Sequence, residues 1–356
     1  MQEISIQLTT TPKQKPLDES KLGFGNIFTD HMFLMNYKTG EGWINPRIVP
    51  YGPIALDPAA MCLHYGQEIF EGMKAYRADD GRILLFRPEE NFKRMNDSNA
   101  RLCIPPVDID FCIHALSELV KIDQEWIPHM KDTSLYIRPF VFSIDPHLGV
   151  RAANEYIFAI ILSPSGSYYA EGLKPVKIYV EHKYARSVKG GTGMAKAAGN
   201  YATSLIAQEE AHAQGYSQVL WLDGAQKKYV EEVGAMNIFF KIGDEIVTPE
   251  LGGSILPGIT RKSVLELLRS LGYNATERLL PMQEIVDAYN NGKLDEVFGT
   301  GTAAVISPVG VLKYDDLVMN INEGNIGPVS QMLYDKLTGI QWGREEDTFG
   351  WTREIK

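Results

Sequence analysis

Apolar residues recur along this chain with two different periods, which predicts a mixture of strands and helices. Met73–Arg77 and Ile83–Phe86 are predicted to form a hairpin across a short Asp-Asp-Gly turn. Pro88, followed by two acidic residues, predicts the start of a helix. A second helix is predicted over "DIDFCIHALSELVKI" because its apolar residues share one face. These residues are Phe111, Cys112, Ala115, Leu116 and Leu119.

The second half of the chain shows the same mixture. Strands are predicted over "VKIYVEH", "QVLWL" and "MNIFFKIGDEIV", the last folding back at Gly243-Asp244. A helix is predicted from about Asn200 to Gln214, ending at Gly215. Another is predicted within "ILPGITRKSVLELLRSLG", with Val264, Leu268 and Leu271 on one face. The pattern therefore predicts an α/β fold class of the α+β type.

The stretch "SPSGSYYAEGLKP", residues 163–175, is rich in Ser, Gly and Pro and is predicted to contain an interdomain linker. We expect a small α/β domain over residues 1–165, a linker over 166–175 and a large α/β domain over 176–356. Residues 1–22 are expected to form a loosely held arm. A length of 356 residues suits two domains.

Charge and cysteine content exclude several classes of protein. The net charge of −10 gives no electrostatic reason to bind nucleic acid or an anionic membrane. The polar N-terminus lacks a signal sequence and no apolar run is long enough to span a membrane, so we expect a cytoplasmic protein. Three cysteines without a Cys-x-x-Cys spacing indicate neither disulfides nor a metal site, and we expect buried thiols.

The stretch "KGGTGMAKAAGNY", residues 189–201, places Lys196 among small residues. An ammonium in weakly polar surroundings has its charged form disfavoured, which makes the amine a nucleophile. Taken alone, the stretch equally describes a mobile glycine-rich loop with a solvated lysine. Three other segments shift the balance.

Two of these segments are typical of phosphate binding. "LPGITRK" begins a helix whose first amides, at Gly258, Ile259 and Thr260, lack partners within the helix. "FGTGTAAVISP" follows a strand and matches the dinucleotide pattern G-x-G-x-x-A. That pattern requires a helix next, whereas the following residues are β-like and include Pro308, so we reject a nicotinamide dehydrogenase and keep a phosphate-binding turn.

The third segment, "KKYVEEVGAMNIFF", places Glu231 and Glu232 on opposite faces of a predicted strand. A carboxylate that points inward needs a cationic partner. A reactive lysine, two phosphate turns and a buried acid together suggest pyridoxal phosphate as the cofactor. A binding protein for a phosphorylated ligand would share the phosphate turns but would not need Lys196.

These segments, with "FTDHM…LHYGQEIFEGMKAY", resemble those of the branched-chain amino-acid aminotransferases, from Phe24 to near the C-terminus. The resemblance implies that this chain is a pyridoxal-phosphate enzyme of fold type IV, with two mixed α/β domains and the active site between them. It implies ping-pong transfer of the amino group of L-leucine, L-isoleucine or L-valine to 2-oxoglutarate, giving L-glutamate and a 2-oxo acid. It also implies a homodimer. D-amino-acid aminotransferase and aminodeoxychorismate lyase share the fold, but "EGMKAYR" and the chain length favour the branched-chain enzymes.

The resemblance also implies roles for individual residues. Lys196 would hold the cofactor covalently and move the proton at the substrate Cα, and Glu232 would pair with the pyridine nitrogen. The remaining cofactor-binding residues would be Tyr201 at the phenolic oxygen and, at the phosphate, Arg94, Ile259, Thr260 and Thr302. Ala303 and Ala304 would receive the α-carboxylate, while the side-chain pocket would contain Phe24, Tyr65, Tyr136 and Arg138.

Some family members carry a redox-active Cys-x-x-Cys pair where this chain has Ala304 and Ser307. We therefore expect activity to be insensitive to mild thiol oxidation. The order of preference among leucine, isoleucine and valine does not follow from the sequence, because one methylene in an apolar pocket is worth only about 1–3 kcal/mol.

Overall fold

A computed structural model describes residues 2–166 and 173–356. Its strands and helices alternate along both halves of the chain, which confirms the predicted mixed α/β class. Most of the predicted linker, 166–175, lies outside the described residues. Strand β8 ends at Ser165, so the Ser-Gly-Pro-rich stretch that contains the linker begins inside a strand.

The chain divides into two compact units. The first comprises Met1–Ala170, Ala195–Ala198 and Gly339–Lys356, and the second comprises Glu171–Met194 and Gly199–Thr338. These units differ from the predicted domains in two short pieces, residues 195–198 and 339–356, which group with the first unit. The C-terminal piece does so because Trp342 packs on Tyr76 at 4.5 Å and the last strand pairs with the hairpin at Leu84–Phe86.

Strands of the first unit form a largely antiparallel sheet. Among the described residues its order is β1-β3-β2-β8-β7-β5-β6-β18, with β4 paired to β7. The strands are β1 Ser5–Ile6, β2 His31–Lys38, β3 Gly42–Pro50, β4 Glu68–Phe70, β5 Met73–Arg77, β6 Ile83–Phe86, β7 Ser134–Ser143, β8 Glu155–Ser165 and β18 Thr352–Glu354. The helices are α1 Met61–Tyr65, α2 Pro88–Arg101 and α3 Ile109–Ile122.

Helices α2 and α3 share a hydrophobic core with one face of this sheet. The five residues predicted to line α3 are all buried, and Asp108 caps the helix by accepting a hydrogen bond from the Phe111 amide at 2.8 Å. Strand alternation sends Leu135 and Ile137 of β7 into this core. Tyr136 and Arg138 therefore project from the opposite face, as do Phe70 of β4 and Lys74 of β5.

The second unit contains a mixed sheet. Within the described part of the chain its order is β11-β10-β9-β16-β15-β12-β13-β14, with β17 paired to β16. The strands are β9 Val176–Glu181, β10 Gln218–Leu222, β11 Val230–Val233, β12 Asn237–Ile242, β13 Glu245–Pro249, β14 Asn274–Arg278, β15 Leu294–Gly301, β16 Val305–Tyr314 and β17 Leu317–Asn320. Four helices, α4 Ala198–Ala202, α5 Leu205–Ala213, α6 Ile259–Ser270 and α7 Met282–Asn290, precede a fifth, α8 Pro328–Gln341.

The helix predicted from Asn200 to Gln214 is wrong as one element, because the structure has α4 and α5 in its place. The break falls at Thr203 and Ser204. Their hydroxyls donate to the Asn200 and Tyr201 carbonyls at 3.1 and 2.7 Å, which offers the backbone a turn in place of a helix. The predicted stop at Gly215 is confirmed, since this glycine has φ +83°.

Three further expectations need correction. The N-terminal arm is tied down, because β1 pairs with β3 and the Lys13 amide donates to Asp30 at 2.8 Å. Leu271 lies at the end of α6 and is 43% exposed, since the helix stops before its side chain reaches the core. Of the three cysteines only Cys112 is buried; Cys62 is partly buried and Cys103 is exposed.

Among the residues that the structure describes, no helix has both the length and the apolar character that crossing a membrane requires.

Glu296 on β15 is expected to stabilise the second unit by capping α8. Its buried carboxylate accepts hydrogen bonds from the Val329 and Ser330 amides at 2.9 Å each. Glu296→Gln replaces one accepting oxygen with a donor, so we expect a loss of about 1–3 kcal/mol in the free energy of unfolding. Denaturant unfolding measures this, with the exposed Glu323→Gln as control; equal stability of the two variants would contradict the capping role.

Candidate active site

The backbone of Lys196 is fixed within the first unit by two hydrogen bonds. Its N–H donates to the Ser98 hydroxyl of α2 at 2.9 Å, and its carbonyl accepts from the Phe70 amide of β4 at 3.0 Å. Ala197 bridges Ile69 in the same way as a strand residue. Lys196 is therefore held as an added piece of strand at the sheet edge, and its backbone is not that of an isolated loop.

Charged and aromatic groups surround the Lys196 amine. Desolvation and the positive charge of Arg94 together lower its pKa to about 8, against the opposing effect of the negative charge of Glu71. The Nζ atom lies 4.7 Å from the centre of the Phe70 ring. The expected lowering of the pKa is present, but its causes include nearby guanidinium groups as well as the small neighbours in sequence.

Arg94 is held by a carboxylate that the sequence did not single out. Glu71 is fully buried and accepts from Arg94 Nε and Nη2, both at 2.8 Å. Asn91, one turn earlier on α2, donates to the same carboxylate at 2.8 Å. Burial alone would raise the pKa of Glu71, but the charge and hydrogen bonds of Arg94 outweigh burial and hold the pKa below its usual range.

Tyr136, Arg138 and Phe24 come together on the open face of the first sheet. Arg138 Nη2 donates to the Tyr136 hydroxyl at 2.9 Å, and the Phe24 ring lies 4.8 Å from the Tyr136 ring. Arg138 also stacks on Phe70 at 4.6 Å and, with Ile161, lines a cavity of about 250 Å³. Its buried Nε has no hydrogen-bond partner among the described residues.

Tyr65 does not join this cluster. It is 41% exposed, and its hydroxyl donates to the Leu148 carbonyl. Leu148, which accepts this hydrogen bond, is also exposed, as are Leu63 and Val150 close by in the sequence.

In the second unit, Glu232 is buried beside a guanidinium. Its carboxylate forms an ion pair with Arg186 and accepts a hydrogen bond from Asn237 Nδ2 at 3.1 Å. Arg186 is itself buried and donates to the Ser254 carbonyl at 2.6 Å. An adjacent guanidinium favours the carboxylate form, so the pair stabilises a negative charge at Glu232.

The neighbouring Glu231 is buried too, so the structure does not select one of the two acids by burial. Glu231 accepts a hydrogen bond from the Ser254 hydroxyl. Burial raises its pKa above the usual value, although the hydrogen bond from Ser254 and the charge of Arg186 act in the opposite direction.

Asn237 connects Glu232 to the N-terminus of α6. Its Nδ2 donates to the Leu256 carbonyl at 2.9 Å, and a β-carbon at Gly258 would collide with its Oδ1. Gly258 caps α6 without a side-chain hydrogen bond, so the first amides of the helix, including those of Ile259 and Thr260, point towards the region beyond the helix end.

The Gly-Thr segment is a turn between two strands. Thr302, Ala303 and Ala304 connect β15 to β16, and Thr300 at its base pairs with Asn237 of β12. A strand follows the turn, which confirms the rejection of a dinucleotide-binding fold. Glu232, the start of α6 and this turn thus converge around Asn237.

Tyr201 is half-buried on α4, and the segment before it is held by local hydrogen bonds. Asn200 accepts from the Thr192 hydroxyl at 2.6 Å and donates to the Thr192 carbonyl at 2.8 Å. Gly193 packs so tightly that a β-carbon there would overlap the Ser254 carbonyl oxygen.

Sequence reasoning missed Glu71, Arg186 and Asn237. Charged and amide side chains are usually solvated, so each of the three is easily taken for a surface residue when read alone. A signal does exist for Glu71, which interrupts a run of residues that are otherwise apolar between Ile69 and Met73.

The chain is similar to a known protein family and to characterised members of it. The sequence profile of the family described as Amino-transferase class IV matches residues 68–311. The chain is 57% identical over 354 residues to branched-chain-amino-acid aminotransferase 2 of Bacillus subtilis (strain 168), covering 99% of this chain and 97% of that protein.

The solved structures that this chain resembles are also those of branched-chain aminotransferases. The branched-chain amino acid aminotransferase of Escherichia coli matches with a TM-score of 0.77 and 29% identity, covering 92% of this chain and 99% of that one. The branched-chain aminotransferase of the thermophilic archaeon Thermoproteus uzoniensis, solved with norvaline, matches with a TM-score of 0.76 and 26% identity, covering 92% of this chain and 100% of that one.

Lys196 is expected to react with amine reagents at lower pH than ordinary lysines. In cofactor-free protein, labelling by trinitrobenzenesulfonate, followed by peptide mass spectrometry, should be half-maximal near the pKa of about 8. Arg94→Gln removes a positive charge that disfavours the ammonium, so the midpoint should move to higher pH. The exposed Lys189 in the same digest is the control, and identical midpoints for the two lysines would contradict the desolvated environment.

Gly193→Ala is expected to destabilise the second unit, because its β-carbon would overlap the Ser254 carbonyl. Overpacking of this kind costs about 1–3 kcal/mol. Gly199→Ala is the matched control, since no atom lies within 4 Å of the added carbon. Thermal unfolding of both variants measures the difference; a Gly193→Ala protein as stable as the control would rule out the close packing.

Proposed function

The chain belongs to the class IV aminotransferase family, and from this premise we propose that it is a branched-chain amino-acid aminotransferase. It transfers the amino group of L-leucine, L-isoleucine or L-valine to 2-oxoglutarate and releases L-glutamate and the branched-chain 2-oxo acid. The observation that carries the proposal is the partly buried Lys196 amine with a pKa of about 8, fixed next to the Arg94–Glu71 pair.

Residues of the first unit support pyridoxal 5'-phosphate as the cofactor. The Lys196 amine has the lowered pKa that a nucleophilic lysine needs at neutral pH. Arg94 offers a guanidinium, the planar donor best suited to a phosphate. We assign Lys196 to hold the cofactor covalently and Arg94 to contact its phosphate.

Donors of the second unit support the same cofactor. The uncapped start of α6 presents amides of Ile259 and Thr260, as phosphate-binding helices do. We assign these residues and Thr302 to the phosphate, Glu232 to the pyridine nitrogen and Tyr201 to the phenolic oxygen. The ion pair with Arg186 supports the assignment of Glu232, because a charged carboxylate holds the ring nitrogen protonated.

Pyridoxal phosphate, when bound, supplies an electron sink that allows the Cα–H bond of an amino acid to ionise. Lys196 would take that proton from Cα and pass it to the cofactor, and in the opposite half-reaction it would carry a proton from the cofactor to Cα, because an amine with a pKa of about 8 changes its protonation state close to working pH. Amides of the turn that contains Ala303 and Ala304 receive the substrate α-carboxylate. The two half-reactions share one site, so the kinetics are ping-pong.

The pocket must admit both an aliphatic side chain and a carboxylate. The cavity beside Arg138 offers both surfaces, because Phe70 and Ile161 line it together with the guanidinium. We assign Arg138 and the Tyr136 hydroxyl to the side-chain carboxylate of glutamate and 2-oxoglutarate, and Phe24 to the aliphatic substrates. Tyr65 lies outside the cluster of Tyr136, Arg138 and Phe24, so its role in the pocket rests on the family resemblance alone.

The working protein is proposed to be a cytoplasmic homodimer. The exposed apolar side chains of Leu63, Tyr65, Leu148 and Val150 support association, since apolar side chains gathered on a surface mark interaction sites. Light scattering of the purified protein tests this assignment.

Lys196→Ala is expected to lower kcat for L-leucine and 2-oxoglutarate by about 10³-fold or more, because the protein loses its base. Lys189→Ala, at an exposed position of the same segment, is the control and should retain the parent rate. Parallel double-reciprocal plots for the parent protein test the ping-pong order. A Lys196→Ala protein with the parent rate would favour a non-catalytic phosphate-binding protein.

Insensitivity to mild thiol oxidation stays a prediction. Cys103 is exposed and open to oxidants, while Ala304 and Ser307 provide no thiol pair in the turn. Treatment with a disulfide-forming oxidant should modify Cys103 and leave transamination unchanged. Inactivation that a reductant reverses would contradict this expectation.

A further inference from the structure

Glu71 contacts Arg94 through two hydrogen bonds, and the proposed function assigns it no role of its own. We propose that Glu71 is a positioning residue, which orients the Arg94 guanidinium so that it binds the phosphate of the cofactor. This inference rests on the proposed function, because the phosphate role of Arg94 comes from there.

The geometry of the pair is the first argument. Glu71 accepts from Nε and Nη2 of Arg94 at 2.8 Å each, so both carboxylate oxygens contact one edge of the planar guanidinium. A two-point contact fixes the plane as well as the position of the group. Nη1 lies outside this pair, on the edge directed away from Glu71.

The surroundings of Glu71 are the second argument. Its side chain has no exposed surface, and the Asn91 amide and the Gly72 N–H donate to it at 2.8 and 3.1 Å. A buried ion pair contributes little net stability compared with apolar residues, so a pair of this kind indicates a requirement for charge at a defined place. Arg94 would otherwise be a long, flexible side chain with several rotamers.

The position on α2 is the third argument. Asn91, Arg94 and Ser98 lie on one face of the helix, since they are three and four residues apart. Asn91 and Arg94 contact Glu71, and Ser98 binds the Lys196 amide at 2.9 Å. One helix face therefore fixes both the proposed phosphate ligand and the backbone of the proposed catalytic lysine.

Equilibrium binding of pyridoxal phosphate and of pyridoxal, which lacks the phosphate, tests the proposal by visible absorption. Glu71→Gln should weaken pyridoxal phosphate binding at least tenfold and leave pyridoxal binding within twofold of the parent protein. Arg94→Gln should show the same selective loss. Equal loss of both ligands, or loss of neither, in Glu71→Gln would overturn the proposal, because a general structural role does not distinguish them.

The double variant Glu71→Gln/Arg94→Gln keeps the test decisive if the single variant does not fold, because it removes both charges of the pair and leaves neither partner unpaired. It should bind pyridoxal phosphate as weakly as Arg94→Gln alone. A further tenfold loss would show that Glu71 acts independently of Arg94 and would also overturn the proposal.

Asp145→Asn provides the matched control. It weakens another ion pair of the first unit, between Asp145 and Arg151 at 2.8 Å, and should leave both affinities unchanged. Parent protein that binds neither ligand would instead refute the proposed function, so failure of the function is distinguishable from failure of the Glu71 assignment.

Discussion

Burial of charge is the constraint on which the first unit depends. Lys196, Arg94 and Glu71 lie close together where water is largely excluded, and an isolated charge in such a place would be costly. Glu71 compensates Arg94 directly, while Lys196 responds by a lowered pKa of about 8. Burial and the charge of Arg94 thus make the amine reactive, while Glu71 limits how far the pKa falls.

The second unit also contains buried charge, which different residues compensate. Arg186 compensates the buried carboxylate of Glu232, and Asn237 connects that carboxylate to the start of α6. The turn after β15 joins this group because Thr300 pairs with Asn237 across the sheet. The Glu232 carboxylate, the start of α6 and the turn after β15 lie far apart in the sequence, and all three are thereby connected to a single strand, β12.

Local periodicity predicts the elements well but not their charged contacts. The hairpin of β5 and β6 and helices α2 and α3 follow from alternation and amphipathic spacing, which depend on neighbours in sequence. The break between α4 and α5 was missed, because it depends on whether two hydroxyls bond to the backbone or to water. Glu71 and Arg186 were missed because their partners are distant in sequence.

In the candidate site, too, some residues carry signals in the local sequence and others depend on tertiary contacts. Lys196, Glu232 and the two phosphate turns carry local signals, such as glycine-rich composition or a helix start, so the sequence alone suggests the cofactor. Which groups tune the lysine depends on tertiary contacts with Glu71 and Arg94. Tyr65 is a further residue whose environment the sequence did not predict, since its exposed position does not follow from the local pattern of apolar residues.

The visible absorption spectrum of protein incubated with pyridoxal phosphate, recorded before and after addition of L-leucine or D-alanine, tests the central claim most directly. A cofactor band that changes with L-leucine and ignores D-alanine is the predicted result. The absence of a protein-bound band, or a response to D-alanine alone, would contradict the account.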